Sequence, residues 1–213
     1  LINWALDDET MKMITESYPD KTLRRRSSGY AIDETIEDIA DKGKPIGERR
    51  INLCRVMCGS EGTLAFVTEI KVDLDVLPPE EKMAVCVHCD SLEKCYEANL
   101  VCLEHQPDAI ELIDGHILEL SKRNAGQRDN RFFVNGDPKG LLVVELLAET
   151  KEALAIKADA LEKALTEGDN ALAYCCTRVD KKDIGKVWSL RKAGLGLLGG
   201  MKGDAKPIGV IED

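Results

Sequence analysis

The hydrophobic pattern changes period repeatedly along this chain, and each change marks an element. Met83–Cys89 is a short apolar run of the strand type. Asp90-Ser91-Leu92-Glu93 has the form of a capping box and opens a helix running to about His105, which Pro107 stops. Ala109–Ile113 predicts a second strand, followed by a helix through His116–Lys122. Residues 123–138 are polar, contain Gly126, Gly136 and Pro138, and predict a loop. Leu141–Leu147 predicts a buried strand. Thr150 then caps a helix whose Leu154, Ala158, Leu161 and Leu165 fall on one face. Gly168-Asp169-Asn170 ends that helix, and Ala171–Thr177 predicts a fourth strand. The order β-α-β-β-α-β is the ferredoxin-like arrangement, one antiparallel sheet with two helices on a single face, so the fold class is α+β.

The rest of the chain reads less regularly. A helix spans about Asp7 to Ser17, capped by Asp7 or Asp8, with Met11 and Ile14 as its apolar contacts. Residues 31–50 predict a loop with one short helix, and Asn52–Met57 is helical. Ile70, Val72 and Leu74 alternate with Lys71 and Asp73, the pattern of a half-buried strand. Leu77-Pro78-Pro79 breaks it and marks a domain boundary, giving domains of residues 1–76 and 77–213. Near the far end Asp180 is placed to cap a helix in which Ile184, Trp188 and Arg191 share a face. The stretch Gly194–Gly200 lacks the GK[ST] ending of a phosphate loop and follows a helix, so a nucleotide loop is rejected.

Composition narrows the function classes. The 213 residues carry a net charge of -10, which excludes non-specific binding to nucleic acid or to anionic membrane. No apolar run reaches the roughly 18 residues needed to cross a bilayer. The chain opens on Leu1 and closes on Ile211-Glu212-Asp213 just after an apolar run, so an excerpt of a longer polypeptide is expected. Of the eight cysteines, Cys86 and Cys89 lie three apart in a strand, where they point to opposite faces and do not share a metal ion. No metal ligand is assigned, and buried free thiols in a reducing cytoplasm are the expectation.

One stretch carries candidate chemistry. In Gly59-Ser60-Glu61-Gly62-Thr63 two glycines flank an acid, and such a turn can present backbone N–H groups to a ligand. Spacing alone is equally compatible with a turn that only reverses the chain. The longer segment Gly59–Glu69 resembles the GSEGTLGIVTE signature of FAD-linked oxidases of the vanillyl-alcohol-oxidase/PCMH type. The nearest branch is the one with D-lactate dehydrogenase, glycolate oxidase and D-2-hydroxyglutarate dehydrogenase. Arg25-Arg26-Ser27-Ser28-Gly29-Tyr30 is similar to that family's RKNTGY segment, and Val187-Trp188-Ser189-Leu190-Arg191-Lys192 to its LWxxRK helix.

The resemblance implies that residues to about 76 are the later part of a FAD-binding domain and that the rest is most of a substrate, or cap, domain. It implies a flavoprotein that oxidises a 2-hydroxy acid of the D-lactate or glycolate type by hydride transfer to FAD. FAD would meet Gly59, Ser60, Gly62, Thr63, Leu64, Ala65, Phe66 and Val67, where Ala65 and Phe66 replace the family's Gly and Ile. If that Gly needs a positive φ, Ala65 is strained. Arg191 and Lys206 would contact the substrate carboxylate. The family's catalytic and metal-binding histidines, and its main diphosphate loop, would lie outside the chain, so no catalytic residue is assigned and the chain alone is expected not to hold FAD. An iron–sulfur domain or protein as electron acceptor, and peripheral attachment to the inner membrane, are options the resemblance leaves open. The rival readings are a non-catalytic ferredoxin-like binding or interaction module and a cysteine-based metal domain.

Overall fold

The computed structural model describes residues 7–23, 29–40, 45, 48, 52–168 and 171–204. The chain divides into two compact units at Leu74/Asp75. In the first, α1 (Asp8–Ser17) is capped by Asp7, whose Oδ2 accepts the Thr10 N–H at 2.8 Å. It packs on α2 (Ile32–Ala40) through Met11 and Ile14, which close over the fully buried Ile36. A short helix, α3 (Cys54–Cys58), follows, and its Arg55 pairs with Glu34 of α2.

The strand expected at Ile70, Val72 and Leu74 is absent: residues 69–79 have no regular structure. Those three side chains are 72%, 70% and 88% exposed. Alternation prescribes which face a strand would bury, but a strand also needs a ladder partner. No described residue pairs with this segment.

The second unit is built on one four-stranded antiparallel sheet of order β2-β3-β1-β4. Its strands are β1 (Glu81–Cys89), β2 (Ala109–Asp114), β3 (Gly140–Ala148) and β4 (Cys175–Asp180). The helices are α4 (Leu92–Glu104), α5 (Gly115–Arg123), α6 (Lys151–Thr166), α7 (Ile184–Lys192) and α8 (Gly194–Gly199). Side-chain oxygens of Ser91, Asp114 and Thr150 cap α4, α5 and α6. The cap of α4 is thus Ser91 and not Asp90. The order β1-α4-β2-β3-α6-β4 is the ferredoxin-like one read from the pattern.

Successive residues of a strand alternate between faces, so each strand sorts its own side chains into two cores. Val85, Val87 and Cys89 join Leu142, Val144 and Leu146 against Cys95, Ala98 and Cys102 of α4 and Leu154, Ala158, Leu161 and Leu165 of α6. Both crossover helices therefore share one face. The opposite face is covered too. There Ala84, Cys86, Ile113, Leu141, Val143 and Val179 meet Ile117 and Leu118 of α5, Ile184, Val187 and Leu190 of α7, Leu197 of α8, and Phe133. Cys86 and Cys89 fall in different cores, as their spacing requires.

Three boundaries differ from the sequence reading. The fourth strand starts at Cys175, and Asp180 is its last residue, not a helix cap. The cap position of α7 is Asp183, which makes no side-chain cap bond. The polar stretch 123–138 holds a 3-10 turn (Arg128–Arg131) and the fully buried Phe133, so it is packed against the sheet. Gly194 opens α8 where a Cβ would stand 3.1 Å from Ile117 Cδ1, which sets how closely α8 can approach α5.

Gly140 stands opposite Cys89 in the ladder, and a Cβ there would lie 2.6 Å from Cys95 Sγ and 3.1 Å from Leu92 Cδ2. Cys95 is fully buried and cannot swing aside into solvent. Gly140→Ala is therefore expected to cost about 1–3 kcal/mol of stability through overpacking. The check is a lower urea midpoint with unchanged slope.

Candidate functional site

His88 is a fully buried titratable ring of the sheet. Its Nε2 accepts the Asn135 N–H at 3.1 Å, so the ring proton sits on Nδ1, which donates to the Cys175 carbonyl at 3.2 Å. Cys175 Sγ lies 3.8 Å from Nδ1. A nitrogen already carrying a proton cannot take one from a thiol, so this is not a Cys–His nucleophile pair. Instead His88 pins the 133–138 segment to β1 and β4, helped by Asn135 Nδ2 donating to Thr177 Oγ1 at 2.7 Å and Tyr174 OH donating to the Asn135 carbonyl at 2.8 Å. Burial pushes the Cys102 and Cys176 thiols up to about 12, which leaves them protonated and unreactive.

Burial also holds the His88 imidazole below its ordinary value. The unfolded chain titrates near 6.5, so it takes up the proton first as pH falls. The His88 contribution is therefore complete above about pH 6.5 and is lost below it, toward the folded-state value, by at most about 1.4 kcal/mol per pH unit. The stability of His88→Gln is expected to fall less steeply than that of the wild type between about pH 7 and 5.5. Parallel slopes in urea titrations would contradict this.

On the sheet face covered by α7, two acids stand on neighbouring strands. Glu111 of β2 faces Val143, and Glu145 of β3 faces Ala109, which makes them diagonal neighbours on one face. α7 docks onto both. Trp188 Nε1–H donates to Glu145 Oε2 at 2.7 Å. One turn on, Arg191 Nε–H donates to Glu111 Oε2 at 3.0 Å, and its Nη2 lies 2.8 Å from the same oxygen. The Arg191 side chain is 37% exposed and that of Glu111 42%. Among the described residues no partner meets Nη1, so the guanidinium is clamped along its Nε–Nη2 edge and the edge bearing Nη1 is open. The buried stripe of α7 is Ile184, Val187 and Leu190, with Trp188 half-buried beside it.

In the first unit, Ser60-Glu61-Gly62-Thr63 is a tight turn closed by Thr63 N–H donating to the Ser60 carbonyl at 2.8 Å. Glu61 and Gly62 both have positive φ, 48° and 75°. Glycine meets that demand at 62, whereas Glu61 holds a conformation that costs a side-chain-bearing residue energy, as turns at binding sites often do. Ser60 Oγ donates to the Met57 carbonyl at 2.9 Å, and Thr63 Oγ1 donates to the Ser60 carbonyl at 2.6 Å. Both hydroxyls thus fix the shape of the turn. Tyr30 OH lies 2.7 Å from Thr63 Oγ1 and Gly29 O lies 3.8 Å from where a Cβ on Gly59 would be, so the Gly29-Tyr30 segment and the turn come together. Open space surrounds Gly62, and Phe66 is 92% exposed. Ala65 has no positive φ and is not strained. A turn with open space at its glycine and exposed Leu64, Phe66 and Val67 beyond it fits a flat, partly apolar cofactor.

No protein-family model matches the chain. Curated proteins do match it. It is 30% identical over 201 residues to the D-2-hydroxyglutarate dehydrogenase of Haemophilus influenzae, a match covering 90% of this chain and 18% of that protein. It is 27% identical over 216 residues to the Pantoea ananatis protein of the same name, with 96% and 20% covered. The match to that of Escherichia coli K12 is 27% over 213 residues, with 95% and 20% covered. The chain thus spans about a fifth of the length of the curated relatives it matches.

Among the residues singled out from sequence, Gly59–Val67 gather around one turn and Arg191 lies on the α7 face of the sheet. Lys206 and Arg25–Ser28 lie outside the described residues. The residue that sequence reasoning missed is Glu111. In Glu111-Leu112-Ile113-Asp114 the second acid, Asp114, caps α5, accepting the Ile117 N–H at 2.8 Å, whereas Glu111 does not. Its place in a strand, facing the same side as the buried Ile113, was the available signal. Among the described residues no helix is long and apolar enough to cross a membrane.

Proposed function

We propose that the full-length protein is a flavin-dependent dehydrogenase of D-2-hydroxy acids, with 2-hydroxyglutarate the first substrate to test. The observation that carries this reading is similarity to D-2-hydroxyglutarate dehydrogenases over 90% to 98% of the chain. Bound FAD supplies the hydride acceptor, chemistry that no side chain can perform. The turn Gly59–Val67 would lie against it, with Ser60 and Thr63 holding the backbone and Phe66 covering it. Arg191 would hold the substrate carboxylate on its open edge through paired N–H donors, a geometry that a guanidinium suits. Lys206 would supply a second cationic contact. Fixing the carboxylate sets the position of the neighbouring carbon, which is where positioning yields rate. An iron–sulfur domain or protein is the acceptor class proposed for the electrons, and the cytoplasm the compartment.

Steady-state dye reduction by the full-length protein tests the reading. The expected result is turnover of D-2-hydroxy acids with little or none of the L forms. Absence of turnover with every 2-hydroxy acid tried, by protein that carries flavin, would contradict it.

A further inference from the structure

We infer that Glu111 is a positioning residue for the reaction, acting through Arg191; this rests on the function proposed above. The Nε–Nη2 edge of Arg191 closes on a single Glu111 oxygen, with Nε 3.0 Å and Nη2 2.8 Å away. A planar guanidinium bonded along one edge cannot rotate about its last torsions without breaking both contacts. The clamp therefore fixes the direction in which Nη1 points. An arginine at the end of α7 without that clamp would carry the same charge but sample several rotamers in solvent, since its side chain is 37% exposed.

The placement of Glu111 suits the task. It sits in β2, whose ladder to β3 spans Ala109 to Asp114, so its backbone is held on a rigid element. The preceding turn of α7 is tied to the same sheet through Trp188 and Glu145 at 2.7 Å, which fixes the helix that carries Arg191. Carboxylate against guanidinium also lowers the net charge of the pair, so that Arg191 contributes oriented donors more than bare charge. The consequence for kinetics is specific. Loss of orientation lets the substrate bind but spoils its alignment, which appears in kcat more than in KM.

The test is a double-mutant cycle in the flavin-loaded, full-length protein. Glu111→Gln is expected to lower kcat per bound flavin by about tenfold while KM moves less than about threefold. In an Arg191→Ala background the same change is expected to alter kcat/KM by less than about twofold, because the group through which Glu111 acts is gone. Glu111→Asp, which keeps the charge but withdraws it by one methylene, is expected to lose activity as well; it also serves if the Gln variant does not load flavin. Multiplicative losses of Glu111→Gln and Arg191→Ala, or full activity of both Glu111 variants, would overturn the positioning role alone. A harmless Arg191→Ala would overturn the assignment of Arg191 along with it.

Discussion

On the proposed function, Arg191→Ala in the full-length protein is expected to lower kcat/KM for a D-2-hydroxy acid by at least about a hundredfold, near 2.7 kcal/mol, with FAD content unchanged. A hydrogen bond to a charged group contributes roughly 1.5–3 kcal/mol net, and the substitution removes up to two from a substrate carboxylate. Arg191→Lys keeps the charge but loses the fork, so only part of the loss returns. The ion pair itself is half-exposed, and pairs of that kind contribute about 0–1 kcal/mol to folding. Stability should therefore move little while turnover collapses. Near-normal kcat/KM in the Ala variant would mean that the pair with Glu111 only docks α7.

The largest effect on stability is expected at Phe133. Its ring is fully buried among the side chains that α5, α7 and the sheet contribute to the second core, and it meets Phe132 edge-on at 5.6 Å between centroids. Truncation to Ala leaves a cavity that the surrounding helices cannot close without moving, at a cost of about 3–5 kcal/mol. Phe133→Leu refills part of the volume and recovers part of the loss. Urea unfolding checks both variants, and a loss below about 1 kcal/mol for Phe133→Ala would show that the segment is not part of the core.

The sheet and its two crossover helices were legible because their signals are local and redundant. The apolar run of β1, the cap at Thr150 and the Leu154-Ala158-Leu161-Leu165 stripe each report one element, and together they give the topology. The second covered face was less visible. Phe133 stands in a polar stretch, and only its burial against α7 reveals that the stretch is core. The segment from Ile70 to Leu74 shows the reverse failure: alternation names the face a strand would bury but not its partner. At the candidate site, the turn was readable because Gly62 answers a backbone demand, a positive φ of 75°. The Arg191–Glu111 clamp was not, because it joins positions 80 residues apart, and no local period reports such a pairing.

The most direct measurement is the visible spectrum of the full-length protein during anaerobic addition of a D-2-hydroxy acid. The account predicts oxidised flavin absorption at the start and its bleaching by the D acid, with the L acid leaving the spectrum unchanged. Protein that is folded but carries no flavin, or flavin that stays oxidised with every 2-hydroxy acid, would contradict it.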